Sequence, residues 1–243
     1  MLVLKKFELY TSSPFDNASL FHTHVEKIWT DEPNLSLSFP TVKIAFAYPH
    51  YTIIPDKLYR ESSKANYLTP LKKQAAFDEL YFTNELSSIG AKLVFSLPEM
   101  AVNFFQKVYD SPINYLNIFS CLIKGYQKRM SKLHGKQVWI NVHPRNIQVL
   151  LFEQEELIFS NQFDFQSEKD FIYYVLLIYD QFKLHPENVP LHISGQLVKE
   201  SAIYKNLDNY IRNIRFVELD PSHRLSSQII DSPFYFFFDL LEI

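Results

Sequence analysis

From Gln137 to Phe165 the chain writes three alternating runs. Val138, Ile140 and Val142 alternate with polar Gln137 and Asn141, while Trp139 marks the opposite face as partly covered too. Pro144-Arg145 turns the chain, Ile147, Val149 and Leu151 alternate again, and Glu153 to Glu156 makes a charged turn before a third run from Leu157 to Phe165. Period-two alternation over such lengths predicts antiparallel strands. Ser167 with Asp170 three residues later predicts a capped helix start. Phe171, Tyr174, Val175, Ile178 and Phe182 then share one stripe, and Ile172, Tyr173, Leu176, Leu177 and Tyr179 make the other faces apolar, as in a helix buried between layers. Pro186 and Pro190 bracket the link to a strand over Leu191 to Ser194, which is expected to return as the first strand's parallel neighbour through a right-handed crossover. Gly195 is expected to open a helix with Ile203, Leu207, Tyr210 and Ile211 inward, and Arg215 to Leu219 to add a fifth strand.

The earlier part is less regular. Val3 to Tyr10 suits a strand, and Ser12-Ser13-Pro14 begins a helix that runs to about Trp29 and stops at Asp31-Glu32-Pro33. Val42 to Tyr48 and Tyr51 to Ile54 read as strands closed by prolines, Asp56 to Ala65 as a helix, and Ala76 to Asn84 with Leu93 to Leu97 as a hairpin. A helix over Glu99 to Tyr109, a strand near Ile113 to Tyr115 and a helix from Asn117 to Leu133 follow. Gly135, after a basic helix end, is the expected boundary. It gives one half over 1–134 and another over 135–243.

Composition narrows the chemistry. In 243 residues there are only four glycines, which disfavours glycine-rich phosphate loops, and a formal charge of −3 offers no global attraction to nucleic acid. Cys121 is the only cysteine, so neither an intrachain disulfide nor a thiolate metal cluster is possible. MLVLKKFELY lacks the apolar core and cleavage site of a leader, and the longest uncharged apolar run, Phe171 to Tyr179, is about half of the roughly 18 residues a membrane span needs. A soluble, cytoplasmic protein is expected.

The order of elements after Gly135 resembles the core unit of the actin, heat-shock-protein and sugar-kinase superfamily. With Tyr51-Thr52-Ile53-Ile54-Pro55, the meander from Val138, the segment Phe171 to Tyr179 and Leu191-His192-Ile193-Ser194-Gly195, the chain is similar to a family of uncharacterised bacterial proteins, known as a domain of unknown function, with an actin-like ATPase fold. More distantly it resembles the actin-like proteins of pilus assembly and secretion platforms. The resemblance implies an α/β chain with a duplicated, ribonuclease H-like fold, mixed sheets with flanking helices, and a first half without its opening hairpin. Active members of the superfamily carry an Asp-x-Gly turn, whose carboxylate works through Mg²⁺ and whose glycine lets backbone N–H groups reach phosphate. Here Asn141 replaces the carboxylate, His143 the glycine, and Pro144 has no N–H to give. Gly195 matches the Ser-Gly turn on the adenosine side, with Ser194 before it and Gln196 where a second glycine is usual. The resemblance therefore implies a nucleotide cleft, with Asn141, His143, Pro144, Ser194, Gly195 and Gln196, that has lost its chemistry.

Other features compete for attention. Gly195 also suits tight strand–helix packing without any ligand. Ser194 sits in a string like a nucleophile elbow, but His192 occupies the position where that motif needs glycine, so a serine hydrolase is rejected. His22 and His24 would point about 200° apart on a helix, and no carboxylate completes a set around His143 and His192, so no metal is expected. Lys124, Lys128 and Lys132, with Arg129, form a basic stripe that fits either anions and partners or a solvated face. Phe234, Tyr235, Phe236, Phe237 and Phe238 are five consecutive aromatics that either close the core or bind a partner.

Three functional readings follow. The first is a non-catalytic actin-like binding or assembly module that needs no cofactor and takes another protein as partner. The second is an ATP-binding or phosphotransfer protein with a rearranged site, the one case in which ATP and Mg²⁺ would be used. The third is a peripheral membrane component that uses the basic stripe and the aromatics without spanning the bilayer.

Overall fold

The computed structural model describes residues 3–4, 18–71, 78–130, 135–218, 224–225 and 233–243. In chain order the regular elements are β1 (Val3–Leu4), α1 (Ala18–Asp31), β2 (Val42–Phe46), β3 (Tyr51–Pro55), α2 (Lys64–Leu68), β4 (Glu79–Leu86), β5 (Ala91–Pro98), α3 (Glu99–Val108), β6 (Ile113–Asn117) and α4 (Ile118–Met130). They continue with β7 (Lys136–Val142), β8 (Asn146–Glu153), β9 (Glu156–Asp164), α5 (Glu168–Gln181), β10 (Leu191–Gly195), α6 (Ala202–Asp208), β11 (Ile214–Phe216), β12 (Arg224–Leu225) and α7 (Phe238–Leu241). The chain forms two compact units: Tyr10–Ser120 with Ile243, and Cys121–Glu242 with Met1–Leu9. The division falls inside α4, ahead of Gly135.

Within Tyr10–Ser120, β2 pairs in parallel with β6, and β3, β5 and β4 form an antiparallel sheet with β5 in the middle. Asn84 ties two of these strands to α4: its Oδ1 accepts from the Asn117 N–H at 2.8 Å and from Ser120 Oγ at 2.9 Å, and its Nδ2 donates to the Tyr115 carbonyl at 3.0 Å. All three bonds are made to groups on β6 or α4, so the buried amide is satisfied rather than stranded. The helix expected over Asp56 to Ala65 is instead two 3₁₀ turns before the short α2. Tyr59 and Arg60 are extended, and the Tyr67 hydroxyl holds them there by accepting from the Arg60 N–H at 2.8 Å and donating to the Leu58 carbonyl at 2.9 Å. That local bonding competes successfully with helix propagation.

In the other unit the five-stranded sheet runs β11-β10-β7-β8-β9. The meander β7-β8-β9 is antiparallel, and β10 returns beside β7 in parallel, with Leu191 opposite Val138 and Gly195 opposite Val142. Period two then sorts the residues of β7. Val138, Ile140 and Val142 enter an apolar core with Phe171, Val175, Ile178 and Tyr179 of α5 and Leu207 of α6. Gln137, Trp139 and Asn141 take the other face, where the Trp139 ring lies 4.6 Å from that of Tyr126 on α4. The expected capping box of α5 is present: Ser167 accepts from the Asp170 N–H, and the Asp170 carboxylate accepts from the Ser167 N–H. That helix is buried on one face rather than on all, since Tyr173 is 60% exposed.

Two expectations around β10 are corrected. Gly195 does not open a helix. It ends β10 at φ +81°, and α6 starts later, at Ala202, where Ser201 supplies the cap by accepting from the Tyr204 N–H. Tyr210 is not inward but 56% exposed, because α6 stops at Asp208 and the chain turns before the buried Ile211. A Cβ on residue 195 would stand 2.2 Å from the Val142 carbonyl oxygen and 2.5 Å from its nitrogen. Gly195→Ala is therefore expected to lower stability by roughly 2–5 kcal/mol, through overpacking plus a left-handed backbone that alanine resists, and to shift the urea midpoint downward accordingly.

Candidate functional site

The β7–β8 turn and the end of β10 meet on the polar face of the sheet. Register sets Ser194 opposite Asn141, and the Ser194 hydroxyl donates to Asn141 Oδ1 at 2.8 Å. The fully buried Tyr126 completes that hydroxyl's bonding from α4, with 2.7 Å between the two oxygens. Burial pushes the Tyr126 phenol well above its ordinary range, so it remains a neutral donor. On its other side Asn141 Nδ2 donates to Gln148 Oε1 at 3.1 Å and to Asp239 Oδ2 at 3.3 Å. His143 Nε2 lies 2.9 Å from the same Asp239 oxygen. His143 Nε2 also lies 2.9 Å from Asn141 Nδ2, so the ring's tautomer decides whether it accepts from Asn141 or donates to Asp239.

Asn141, His143 and Ser194 are thus joined in one hydrogen-bonded group. Pro144 is exposed at the tip of the turn and outside that group. The backbone donors nearby are already engaged: the His143 N–H reaches the Asn146 carbonyl at 2.9 Å, and the Gln196 N–H reaches the Val142 carbonyl at 2.7 Å. The group held at the turn is the side chain of Asp239. Nothing here forms a nucleophile with a base, because the Ser194 hydroxyl is buried and spends its proton on an amide oxygen. No group of three or more His, Cys, Asp or Glu suited to a metal occurs among the described residues.

Asp239 arrives on the aromatic segment. Phe237 and Phe238 are buried, while Phe234, Tyr235 and Phe236 are half-buried, so this segment closes the core of its unit and Phe237 and Phe238 are not free for a partner. Tyr126 stacks on Phe238 at 4.8 Å, Tyr235 stacks on Phe216 at 4.3 Å, and the Arg129 guanidinium lies 4.7 Å from the Phe238 ring centroid. The basic stripe is part of the same closure. Glu242, its side chain wholly buried, accepts from Arg129 and from Lys128, each at 2.8 Å. Lys124 is exposed, and Lys132 lies outside the described residues.

Sequence reasoning missed Tyr126, Gln148, Asp239 and Glu242. One signal was available in Gly125, a glycine in the middle of α4. Such a residue costs about 1 kcal/mol against alanine and asks for a packing reason. The reason is close approach, since a Cβ there would stand 2.6 Å from Glu242 Cγ and 2.8 Å from Phe238 Cζ.

Residues 3–214 match the family described as Protein of unknown function (DUF3822). The chain belongs to that family. A search of the curated proteins finds no match. Among solved structures, a Bacteroides thetaiotaomicron protein with actin-like ATPase fold and unknown function is similar at a TM-score of 0.71, with 21% identity over 83% of this chain and 77% of that one. A PilM–PilN type IV pilus biogenesis complex gives a TM-score of 0.52, with 10% identity over 93% of this chain and 83% of the matched one. This DUF3822 protein therefore has an actin-like ATPase fold. Among its described residues no helix is long and apolar enough to cross a membrane.

Two measurements follow from this face of the sheet. His192 stacks on Trp139 at 3.9 Å, its Nε2 has no partner, and burial, aided by Arg215, pushes its pKa down to about 4. The unfolded chain takes up that proton near pH 6.5 and the folded one only near 4, so stability is full above 6.5 and is lost as pH falls between those values. The loss should be about 3 kcal/mol, and His192→Gln should remove this part of the pH dependence of the urea midpoint. Arg129→Ala leaves a buried carboxylate without its better-shielded cation and should cost roughly 3–5 kcal/mol. Lys128→Ala, at a side chain 58% exposed, should cost less than about 1 kcal/mol in the same assay.

Proposed function

We propose that this protein is a non-catalytic actin-like module that binds or assembles with another protein, and that its nucleotide site is degenerate. The observation that carries the reading is the state of the β7–β8 turn. Where an active relative would present a carboxylate for Mg²⁺ and free N–H groups for phosphate, this chain has Asn141, His143 and Pro144, and the place of the anion is taken by its own Asp239. A triphosphate arriving there would meet a carboxylate rather than a donor, and like charge repels. The division into two related halves, 1–134 and 135–243, and a cytoplasmic location belong to the same proposal. A protein partner is supported by the PilM–PilN complex, a matched actin-like structure that is itself an assembly of two proteins.

ATP, ADP and GTP, each with Mg²⁺, are expected to leave the melting temperature unchanged, and no Mg-dependent ATP hydrolysis is expected above background. A nucleotide present at 100 times its Kd would stabilise the fold by about 2.7 kcal/mol and raise Tm by several degrees, so the measurement is decisive. Mg-dependent turnover that disappears in Asn141→Ala would overturn the proposal in favour of a rearranged ATP-binding or phosphotransfer site.

A further inference from the structure

The segment Pro233–Glu242 is held by the body of its unit and barely by itself. Its α-helix, α7, spans only Phe238–Leu241, too short to persist alone in water. Its two acidic side chains find their partners on other elements: Asp239 on Asn141 and His143, Glu242 on Lys128 and Arg129. The Phe238 ring meets two residues of α4, with Tyr126 stacked at 4.8 Å and the Arg129 guanidinium 4.7 Å from its centroid. Gly125 has no side chain, and that lets both Phe238 and Glu242 approach α4. This is the geometry of a short helix docked in a groove by anchors at i, i+1 and i+4.

We infer that the face formed by Gly125, Tyr126 and Arg129 of α4 with Asn141 and His143 is a docking seat for an acidic aromatic helix of a partner protein. Its chemistry is an aromatic residue followed at once by one carboxylate and, three residues later, by a second. The chain's own Phe238-Asp239-Leu240-Leu241-Glu242 fills the seat as an intramolecular competitor. Charge complementarity selects this occupant, since Arg129 of the seat and neighbouring Lys128 pair with Glu242, while Asn141 and His143 lie within hydrogen-bond reach of Asp239. The seat is carried by α4 and by the end of β7, elements that do not belong to the segment. Tethering gives the internal copy an effective concentration in the millimolar range, which keeps the seat closed until a partner competes. This rests on the binding-module reading and names the partner's chemistry.

The test uses the full chain with Asp239→Asn and Glu242→Gln, which weakens the internal occupant, and a fluorescent peptide of residues 233–243 carrying a solubilising tag. Anisotropy should show at least tenfold tighter peptide binding to this variant than to the unsubstituted chain. Adding Arg129→Met to the variant, or placing the same Asn and Gln in the peptide, should abolish that binding. No binding by a variant that is folded by circular dichroism overturns the inference, as does equal binding of the substituted peptide. Should the variant fail to fold, hydrogen exchange on the unsubstituted chain decides. Amides of residues 234–242 should exchange at least tenfold faster than those of β7 and β10, and exchange at one common rate overturns the inference. Nucleotide-dependent stabilisation would sink the non-catalytic reading while leaving the peptide result intact, so the two failures are distinguishable.

Discussion

The parallel pairing of β10 on β7 is the constraint from which the site follows. It fixes Ser194 opposite Asn141 and brings Gly195 so close to the Val142 backbone that no side chain fits between them. A slip of one residue would turn Ser194 toward the apolar core and Ile193 toward the polar face, and the pleat leaves no intermediate choice. The close approach at Gly195 also works against such a slip, because every other residue available from β10 carries a Cβ. The glycine thus serves strand geometry first.

On this frame the polar face of the sheet is organised as a relay. Tyr126, Ser194, Asn141, Gln148, His143 and Asp239 are linked donor to acceptor, and every member of the chain has its bond in the protein. A buried network of this kind is favourable only when complete, since one missing partner leaves a desolvated group behind. Asp239 is what completes it, and it sits on the same short segment as the two buried phenylalanines, each of which contributes about 1.5–3 kcal/mol by leaving water. Apolar burial holds the segment and the carboxylates set its register, which explains why this stretch of consecutive aromatics is folded rather than adhesive.

Much of the fold was legible because it obeys simple periods. The alternation at Val138, Ile140 and Val142 and at Ile147, Val149 and Leu151 gave the meander, the Ser167–Asp170 pair gave the start of α5, and two prolines marked the return to β10. Legibility ended where tertiary partners decide. The extended path at Tyr59 and Arg60 depends on the hydroxyl of Tyr67, and nothing local announces it. At the site, Asn141, His143 and Ser194 could be picked out because they belong to one hairpin and one returning strand. Asp239 and Glu242 could not, because their partners are 96 or more residues away and no alternation or capping rule reaches that far.

The bare α-carbon at position 125 has a wider meaning. It leaves a notch in the helix surface, and the aliphatic stem of Glu242 and the rim of the Phe238 ring fill the space a side chain would otherwise take. On the inferred docking face, selection would therefore combine charge, from Lys128 and Arg129, with the narrow clearance above this position.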